Sequence, residues 1–232
     1  MYWKNDNQKG DRSLITFEQF LAILEGTRIT LSIAAVSIIF GIMLGVIIAL
    51  CKIARNKVLN GLAWFYVWVF RGTPMLMQLF VFYYALPMFT ADVFGVTLRL
   101  PGFVAACIAF SLNSAAYLAE IIRGAIQSID KGQMEASKAL GMTYKQAMFK
   151  IIIPQSYRRL IPPVGNELIT LLKDTSLVAS IAIFDLLRTV TSMNNASGKW
   201  HYFLYAAAIY LFLTSIIQIV FDRLEKKYSA YE

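Results

Sequence analysis

Five apolar runs set the fold class of this chain. Spanning a hydrocarbon layer of about 30 Å takes about 20 apolar residues in a helix. With 58% hydrophobic and 16% charged residues, the 232-residue chain carries more apolar surface than a soluble domain of its size can bury. We therefore predict an all-α membrane protein with about five transmembrane helices. The runs cover residues 29–50, 74–89, 100–119, 160–184 and 202–221, and only the fourth contains charged residues.

The basic residues between these runs indicate how the helices are oriented. Cytoplasmic loops of membrane proteins carry an excess of Lys and Arg. With Arg71 and Lys173 left out, one set of loops holds 13 basic residues and the opposite set holds 7. We therefore expect the N-terminus outside and the C-terminus in the cytoplasm. The richer set lies at 52–57, 123–159 and 223–227, and the poorer set lies at 4–28, 99 and 188–199.

The organisation predicted from the sequence is a single transmembrane domain, residues 1–232, because no internal repeat or long linker divides it. The two cysteines, Cys51 and Cys107, fall at the end of one apolar run and inside another, so a disulfide framework is not expected. No residues have the spacing of metal ligands. In a membrane protein, the net charge of +8 fits basic cytoplasmic loops better than nucleic-acid binding.

The one sizeable polar excursion, residues 128–159, has the sequence of a tight helical hairpin. Asp130 is suited to cap a first helix, and Gly141 stands where a helix ends in a left-handed residue. Thr143 and Gln146 form a capping box that starts a second helix at once.

The second helix of this hairpin leads back towards the membrane. It runs through three isoleucines and meets Pro154, which we expect to interrupt it. A compact hairpin of this kind can dock another protein, or it can simply connect two spans.

The hairpin resembles the "EAA" loop in the permease subunits of ATP-binding-cassette importers. That pattern is Glu-Ala-Ala, three residues, Gly, nine residues and Ile-x-Leu-Pro. The spacing is intact here, with two conservative departures at Ser137 and Ile153. The matching residues are Glu135, Ala136, Gly141, Ile151 and Pro154.

Further stretches are similar to the polar amino-acid uptake branch of that family. The resemblance extends over roughly residues 20–225, nearly the whole chain. It implies the fold of a type I importer permease in the bacterial inner membrane. The stretches are 71–74, 112–124, 165–167 and 172–177.

The resemblance also implies which other subunits form the transporter. In this family two permease subunits form the pathway, separate ATPase subunits bind ATP and Mg²⁺, and an extracytoplasmic binding protein delivers the amino acid. It implies that Glu135, Ala136 and Gly141 dock the ATPase and that Pro154 sets how the second helix meets the fourth span. The chain has no Gly-x-x-x-x-Gly-Lys-Ser/Thr loop, so we expect no catalytic residue and no cofactor in it.

Charged residues inside a membrane span are costly and usually functional, and the fourth span carries three. If its helix starts near Pro162, Asp174 lies close to the bilayer midplane. Glu167 is seven residues earlier and shares a face with Asp174, whereas Lys173 points elsewhere. The two carboxylates can contact the ammonium or a cationic side chain of a substrate. Alternatively, all three charges belong to a structural ion-pair network.

The third span presents Asn113 and Tyr117 on one face, where they can line a pathway or form ordinary hydrogen bonds between helices. Gly41 and Gly45 in the first span form a G-x-x-x-G pair, which predicts close helix packing.

The entry to the second span has its own pattern. Residues 58–70 are rich in Trp and Tyr, which predicts an interfacial helix. Gly72 can end that helix, Thr73 can cap the next one, and Arg71 can reach the headgroups.

Two other functions compete with an ATP-driven importer. The intramembrane carboxylates are also compatible with a secondary transporter or channel driven by an ion gradient, although no inverted repeat is visible. A membrane anchor or sensor subunit is the third possibility. The ion-driven transporter leaves the hairpin unexplained.

Overall fold

The computed structural model describes residues 15–54 and 56–229, and the described part of the chain is helical without β-strands. Four residues of the orientation count, Lys4, Lys9, Arg12 and Arg55, lie outside it. The α-helices are α1 (Phe17–Ile53), α2 (Lys57–Gly72), α3 (Met75–Phe80), α4 (Leu86–Phe94), α5 (Gly102–Gln127), α6 (Lys131–Ala139), α7 (Tyr144–Ala147), α8 (Ile153–Asp174), α9 (Leu186–Ser197) and α10 (His201–Ser229). Two π-helical turns, Val81–Ala85 and Met148–Ile152, and a 3-10 helix, Thr175–Ile181, join some of them.

Among the described residues, four helical segments are long and apolar enough to cross a membrane, and they overlap the first, second, third and fifth predicted runs. The fourth run corresponds to α8 and the 3-10 helix that follows it. Its charged residues lower its hydropathy, but α8 packs along both α5 and α10. The predicted all-α membrane fold is confirmed. The four segments are Phe17–Ile53, Met75–Phe94, Gly102–Gln127 and His201–Tyr228.

Helix α1 packs closely along α5 because glycines occupy the contact. A capping box starts α1, in which the side chains of Thr16 and Gln19 each accept a hydrogen bond from the other's backbone N–H. A Cβ built on Gly45 would lie 2.9 Å from Cβ of Leu118 and 3.2 Å from the carbonyl oxygen of Ala115. Gly41 approaches Ser114 in the same way, at 3.1 Å. The packing predicted for the G-x-x-x-G pair is thus confirmed.

A short break separates α2 from α3, the helix that opens the second predicted run. Helix α2 packs against α1 and α5, and its Val67 is buried against Ala116 and Ala119. It ends at Gly72, as predicted, and α3 begins at Met75 after two extended residues. The predicted Thr73 cap is wrong, since Pro74 occupies the N-cap position and the Thr73 hydroxyl donates to the carbonyl of Val69.

Helix α8 begins earlier than the sequence predicted. It starts at Ile153, and Pro162 and Pro163 lie inside it. The hairpin helix α7, the π-helical turn and α8 follow one another without a gap in helical structure. A Cβ on Gly165 would meet the Phe221 ring at 2.7 Å, so α8 crosses α10 closely at this point.

Helix α9 was not predicted. Asp185 caps it by accepting from the backbone N–H groups of Leu187 and Arg188. Thr30 on α1 accepts from the N–H of Leu186, and α9 packs between α1 and α10. This short helix closes the end of the bundle opposite the hairpin.

Candidate functional site

A cavity of about 410 Å³ lies between the α2–α3 break, α5 and α8. Its wall combines apolar side chains with two carboxylates and one guanidinium. The lining residues are Arg71, Gly72, Thr73, Pro74, Met75, Phe110, Asn113, Tyr117, Glu167, Thr170, Leu171 and Asp174.

All four residues predicted for the substrate pathway line this cavity. Asn113 and Tyr117 are one turn apart on α5, and Glu167 and Asp174 are two turns apart on α8. The helical spacing that motivated the prediction places each pair on one face. Lys173 is exposed and does not line the cavity. Their position in the cavity does not show what they bind, so contact with a substrate stays a prediction.

The two carboxylates have different surroundings. The buried Ser114 hydroxyl donates to Oε1 of Glu167 at 2.8 Å, which fixes that side chain against α5. Asp174 is the last residue of α8 and makes no hydrogen bond or close ion pair with the described residues. Asp174 is therefore the carboxylate that is freer to meet a solute.

Asn113 and Gln78 satisfy the carbonyl groups that the α2–α3 break leaves open. Both amide nitrogens donate to the Phe70 carbonyl oxygen, Asn113 at 3.2 Å and Gln78 at 2.8 Å. Gln78 also donates to the Thr73 carbonyl and accepts from Asn113. Asn113 thus has a structural task, as its alternative interpretation predicted, although it also faces the cavity.

Arg71 was not predicted to face the cavity. Its guanidinium lies 5.1 Å from the centre of the Tyr117 ring. It is also 3.8 Å from Oε2 of Glu120, a longer separation than a hydrogen bond. The sequence shows only an arginine beside an apolar run, and this pattern led to the prediction that Arg71 reaches the headgroups.

A second cavity, of about 460 Å³, lies on the side nearer the hairpin. Glu120 lines this cavity and forms two ion pairs, one with Arg123 at 2.6 Å and a close one with Lys52. These ion pairs give Glu120 and Arg123 a structural role. The cavity shares Arg71, Gly72 and Tyr117 with the first one, and its other lining residues are Lys52, Trp64, Val67, Trp68 and Glu120.

The hairpin has the turn that its sequence predicted. Asp130 accepts from the N–H of Gly132 at the start of α6. Gly141 has φ +79° and donates its N–H to the Lys138 carbonyl, while the Met142 N–H reaches the Ser137 carbonyl. This pair of bonds is a Schellman motif, which requires a left-handed residue at position 141.

The far end of the hairpin is an exposed surface with apolar side chains. Glu135, Ala136 and Gly141 are exposed, and Leu140 next to them is 84% exposed. Single exposed apolar residues are common on protein surfaces, so this exposure is compatible both with docking and with a simple connection. A Thr143–Gln146 capping box starts α7, as predicted.

Pro154 does not interrupt the second helix, contrary to our prediction. It lies in the first turn of α8, directly after the π-helical turn. Its ring would press on the carbonyl of Lys150 in a regular α-helix, and the wider π turn contains that residue. The hairpin is therefore joined to α8 by continuous helix, and Pro154 lies at the junction.

Comparison with known proteins identifies the family. Residues 41–230 match the family described as "Binding-protein-dependent transport system inner membrane component". The arginine transport system permease protein ArtQ of Bacillus subtilis is 39% identical over 213 residues, covering 91% of this chain and 94% of the relative. The L-cystine transport system permease protein TcyB of the same organism is 38% identical over 219 residues, covering 92% and 91%.

A solved structure shares the fold as well. The crystal structure of an amino acid ABC transporter with histidines superposes with a TM-score of 0.82 at 33% identity, covering 92% of this chain and 99% of that chain. The family match includes the α2–α3 break, the hairpin and α8. It supports the importer over the ion-driven alternative. The chain therefore belongs to the binding-protein-dependent transport system inner membrane components, a family of multi-pass subunits of membrane transporters.

Proposed function

We propose that this chain is the membrane-spanning subunit of an ATP-driven importer for polar amino acids, with 1–232 as its single permease domain. The observation that carries this proposal is the cavity in which Glu167 and Asp174 face Arg71. Opposite charges around a volume of about 410 Å³ suit a small zwitterion. The relatives named for arginine and cystine transport support the same substrate class.

The coupling partner of the hairpin is a separate ATPase subunit, which holds the ATP and Mg²⁺. Glu135, Ala136 and Gly141 form the docking surface, with Leu140 as an apolar contact that the sequence did not single out. Pro154 acts at the junction with α8. An extracytoplasmic binding protein delivers the substrate, as the family description implies.

A second permease subunit, identical or homologous, covers the polar face of α8. Asn166, Thr170 and Lys173 recur at helical spacing and are all exposed. Polar side chains inside a membrane face the protein interior or a water-filled path. This exposed stripe supports a pathway that lies between two subunits.

The proposed topology places the hairpin in the cytoplasm and the α4–α5 connection outside. In a variant lacking Cys51 and Cys107, we expect single cysteines at Val96 and Lys138, both exposed, to react with a membrane-impermeant maleimide from opposite sides. Lys138 should be labelled only in inside-out vesicles. Labelling of both positions from the same side would contradict an odd number of crossings between them.

The substrate site is tested by Asp174→Asn in the reconstituted complex. A charge-assisted hydrogen bond contributes about 1.5–3 kcal/mol, so we expect the apparent affinity for cationic amino acids to fall by roughly ten- to a hundredfold. The measurement is ATP-driven uptake across a panel of labelled amino acids, normalised to assembled complex. Asp92→Asn on α4 is the matched control, because Asp92 is exposed and outside the cavity.

The structural alternative gives a different result. If Asp174 belongs only to an ion-pair network, Asp174→Asn lowers assembly or thermal stability and leaves the order of preferred amino acids unchanged. That outcome would remove the main support for substrate contact at α8. The affinity of the isolated binding protein stays constant in either case, because it is a separate molecule.

A further inference from the structure

A third cavity, of about 580 Å³, lies at the base of the hairpin and shares no lining residue with the other two cavities. Three segments meet there: Ile129 just before α6, the first turns of α8, and the end of α10. The wall includes two arginines, Arg158 and Arg159, and two tyrosines, Tyr157 and Tyr228. Among the described residues no carboxylate lines it, so this wall is positively charged.

The depth of this cavity follows from the contact between α8 and α10. The fifth apolar run, residues 202–221, is about 30 Å long as a helix, which matches the hydrocarbon layer. Phe221 therefore lies near the edge of that layer, and it contacts Gly165 of α8. Arg158 precedes Gly165 by two turns and Tyr228 follows Phe221 by two turns, so both lie about 10 Å beyond the edge. Their long side chains can reach back to the headgroups, which occupy about 5–8 Å on each side.

The cavity is accessible to lipid from the side of α10. This helix is the least buried of the four candidate spans. Tyr228 at its end is 42% exposed, and Tyr157 on α8 is 52% exposed. Tyrosine is enriched where a membrane meets water, because its ring is apolar and its hydroxyl can bond to a headgroup. The cavity thus combines a basic wall and aromatic edges at the depth of the headgroups.

Arg159 is held in a position that leaves its charge available. Its Nη1 donates to the carbonyl oxygen of Ser128, which follows α5. That acceptor is neutral, and Arg159 forms no ion pair within the part of the chain that the structure describes. A guanidinium has several other N–H donors, and two of them match two oxygens of a phosphate group. Arg159 is therefore oriented by one hydrogen bond and can still bind an anion.

We propose that this cavity binds the headgroup of an anionic phospholipid, with Arg158 and Arg159 on its phosphate. The lipid comes from the leaflet on the hairpin side, which the proposed topology makes cytoplasmic. The chemistry recognised is a phosphate ester with a net negative charge, and the depth of the cavity favours a lipid over a soluble ester. Basic pockets between membrane helices on the cytoplasmic side are suited to such headgroups. This site is independent of the transported substrate.

A bound headgroup connects the hairpin to two membrane helices. Gln155 lines the cavity and donates to Oε1 of Gln133 on α6 at 3.2 Å. Together with the bond from Arg159 to Ser128, it joins the hairpin segment to α8 beside the cavity. Tyr228 adds the end of α10 to the same wall. The lipid therefore lies where it can stabilise the position of the hairpin relative to the membrane.

The test measures lipid binding by the assembled complex in detergent, with its ATPase subunits present. Phosphatidylglycerol, phosphatidylserine and phosphatidylcholine are titrated in separate series, and native mass spectrometry counts the lipids bound to each complex. We expect both anionic lipids to bind roughly 25-fold more tightly than phosphatidylcholine, because each basic residue near a membrane surface contributes about fivefold.

Paired variants separate this cavity from the general basic surface. Arg158→Gln with Arg159→Gln should bring the anionic-to-zwitterionic ratio close to one. Lysine at both positions should keep part of the preference, because it retains the charge and loses the planar fork. Arg223→Gln with Lys227→Gln is the matched control, since both residues are exposed on α10 at a similar depth and neither lines the cavity. Equal losses in the control and the cavity pair would show diffuse surface charge and overturn the site.

The remaining outcomes distinguish the lipid from other occupants. Inorganic phosphate and glycerol 3-phosphate are added in excess and compared with chloride at the same ionic strength. Specific displacement of phosphatidylglycerol by either one identifies a soluble phosphate ester as the ligand and overturns the lipid. Release of the ATPase by the glutamine pair, with an unchanged lipid preference, assigns the cavity to the docking surface instead.

A parent ratio near one overturns the proposal by itself. If the glutamine pair does not assemble, the parent ratio and the lysine pair still decide the question. Loss of the lipid site leaves the proposed transport function intact, because that function is tested separately by amino-acid uptake.

Discussion

Gly141→Val is expected to reduce ATP-driven transport by roughly ten- to a hundredfold while the subunit remains inserted. A β-branched residue at φ +79° adds strain of about 1–3 kcal/mol, and the hairpin relieves it by giving up the left-handed turn. A turn that opens would misplace Glu135 and Leu140 on the docking surface. The same free energy, lost from ATPase binding, gives that range of affinity. Copurification of the ATPase and transport per assembled permease are the two measurements.

Two variants make this expectation specific to the hairpin. Gly95→Val imposes similar strain at φ +68°, but at the end of α4 on the opposite side of the bundle, so ATPase binding should persist. Gly141→Asn should retain much of the transport, because Asn tolerates the left-handed conformation better than Val. Normal ATPase binding by Gly141→Val would contradict the docking surface proposed here.

Gly45→Leu is expected to have the largest effect on stability. The space for a Cβ at this position is already occupied, with Leu118 at 2.9 Å and the Ala115 carbonyl oxygen at 3.2 Å. The backbone atoms cannot rotate away as a side chain can, so α1 and α5 must separate. Overpacking of this kind costs about 1–3 kcal/mol and sometimes more. Loss of folded protein on size-exclusion chromatography and a lower thermal unfolding midpoint are the expected observations.

The matched control for this substitution lies on the partner helix. Gly124 is helical and has no heavy atom within 4 Å of its Cβ position, so Gly124→Leu should leave stability nearly unchanged. Equal destabilisation by both variants would show that glycine in a membrane helix, rather than close helix contact, determines the result.

The features that the sequence predicted well depend on neighbours a few residues away. The capping box at Thr143 and the left-handed turn at Gly141 each follow from contacts within six residues. The shared faces of Asn113 with Tyr117 and of Glu167 with Asp174 follow from helical periodicity alone. These features depend little on packing between distant segments, and therefore the structure agrees with their prediction.

The features that the sequence missed depend on packing between distant segments. Pro162 and Pro163 lie inside α8, where contacts with α5 and α10 help to keep the chain helical despite the lost N–H groups. Arg71 faces the cavity because α2 packs along α5, and periodicity does not reveal that neighbour. Helix α9 has no long apolar run, and the N–H of its first residue is bound by Thr30, which is 156 residues away.

Pro87 and Pro154 share the same local arrangement of a proline next to a π-helical turn. Each is the second residue of a helix that directly follows a π-helical turn. In each case, the carbonyl that the ring would crowd, of Tyr83 or Lys150, belongs to that wider turn. A proline in an otherwise helical sequence can therefore mark a local widening instead of an end, when tertiary contacts favour continuation.

The path from the hairpin to the cavity is helical throughout. From Tyr144 to Asp174 it has 31 residues, or about 46 Å at about 1.5 Å per residue, and no loop interrupts it. The π-helical turn at Met148–Ile152 and the prolines of α8 are the places where such a helix can bend. A displacement of the hairpin can therefore reach Glu167 and Asp174 through helical structure alone.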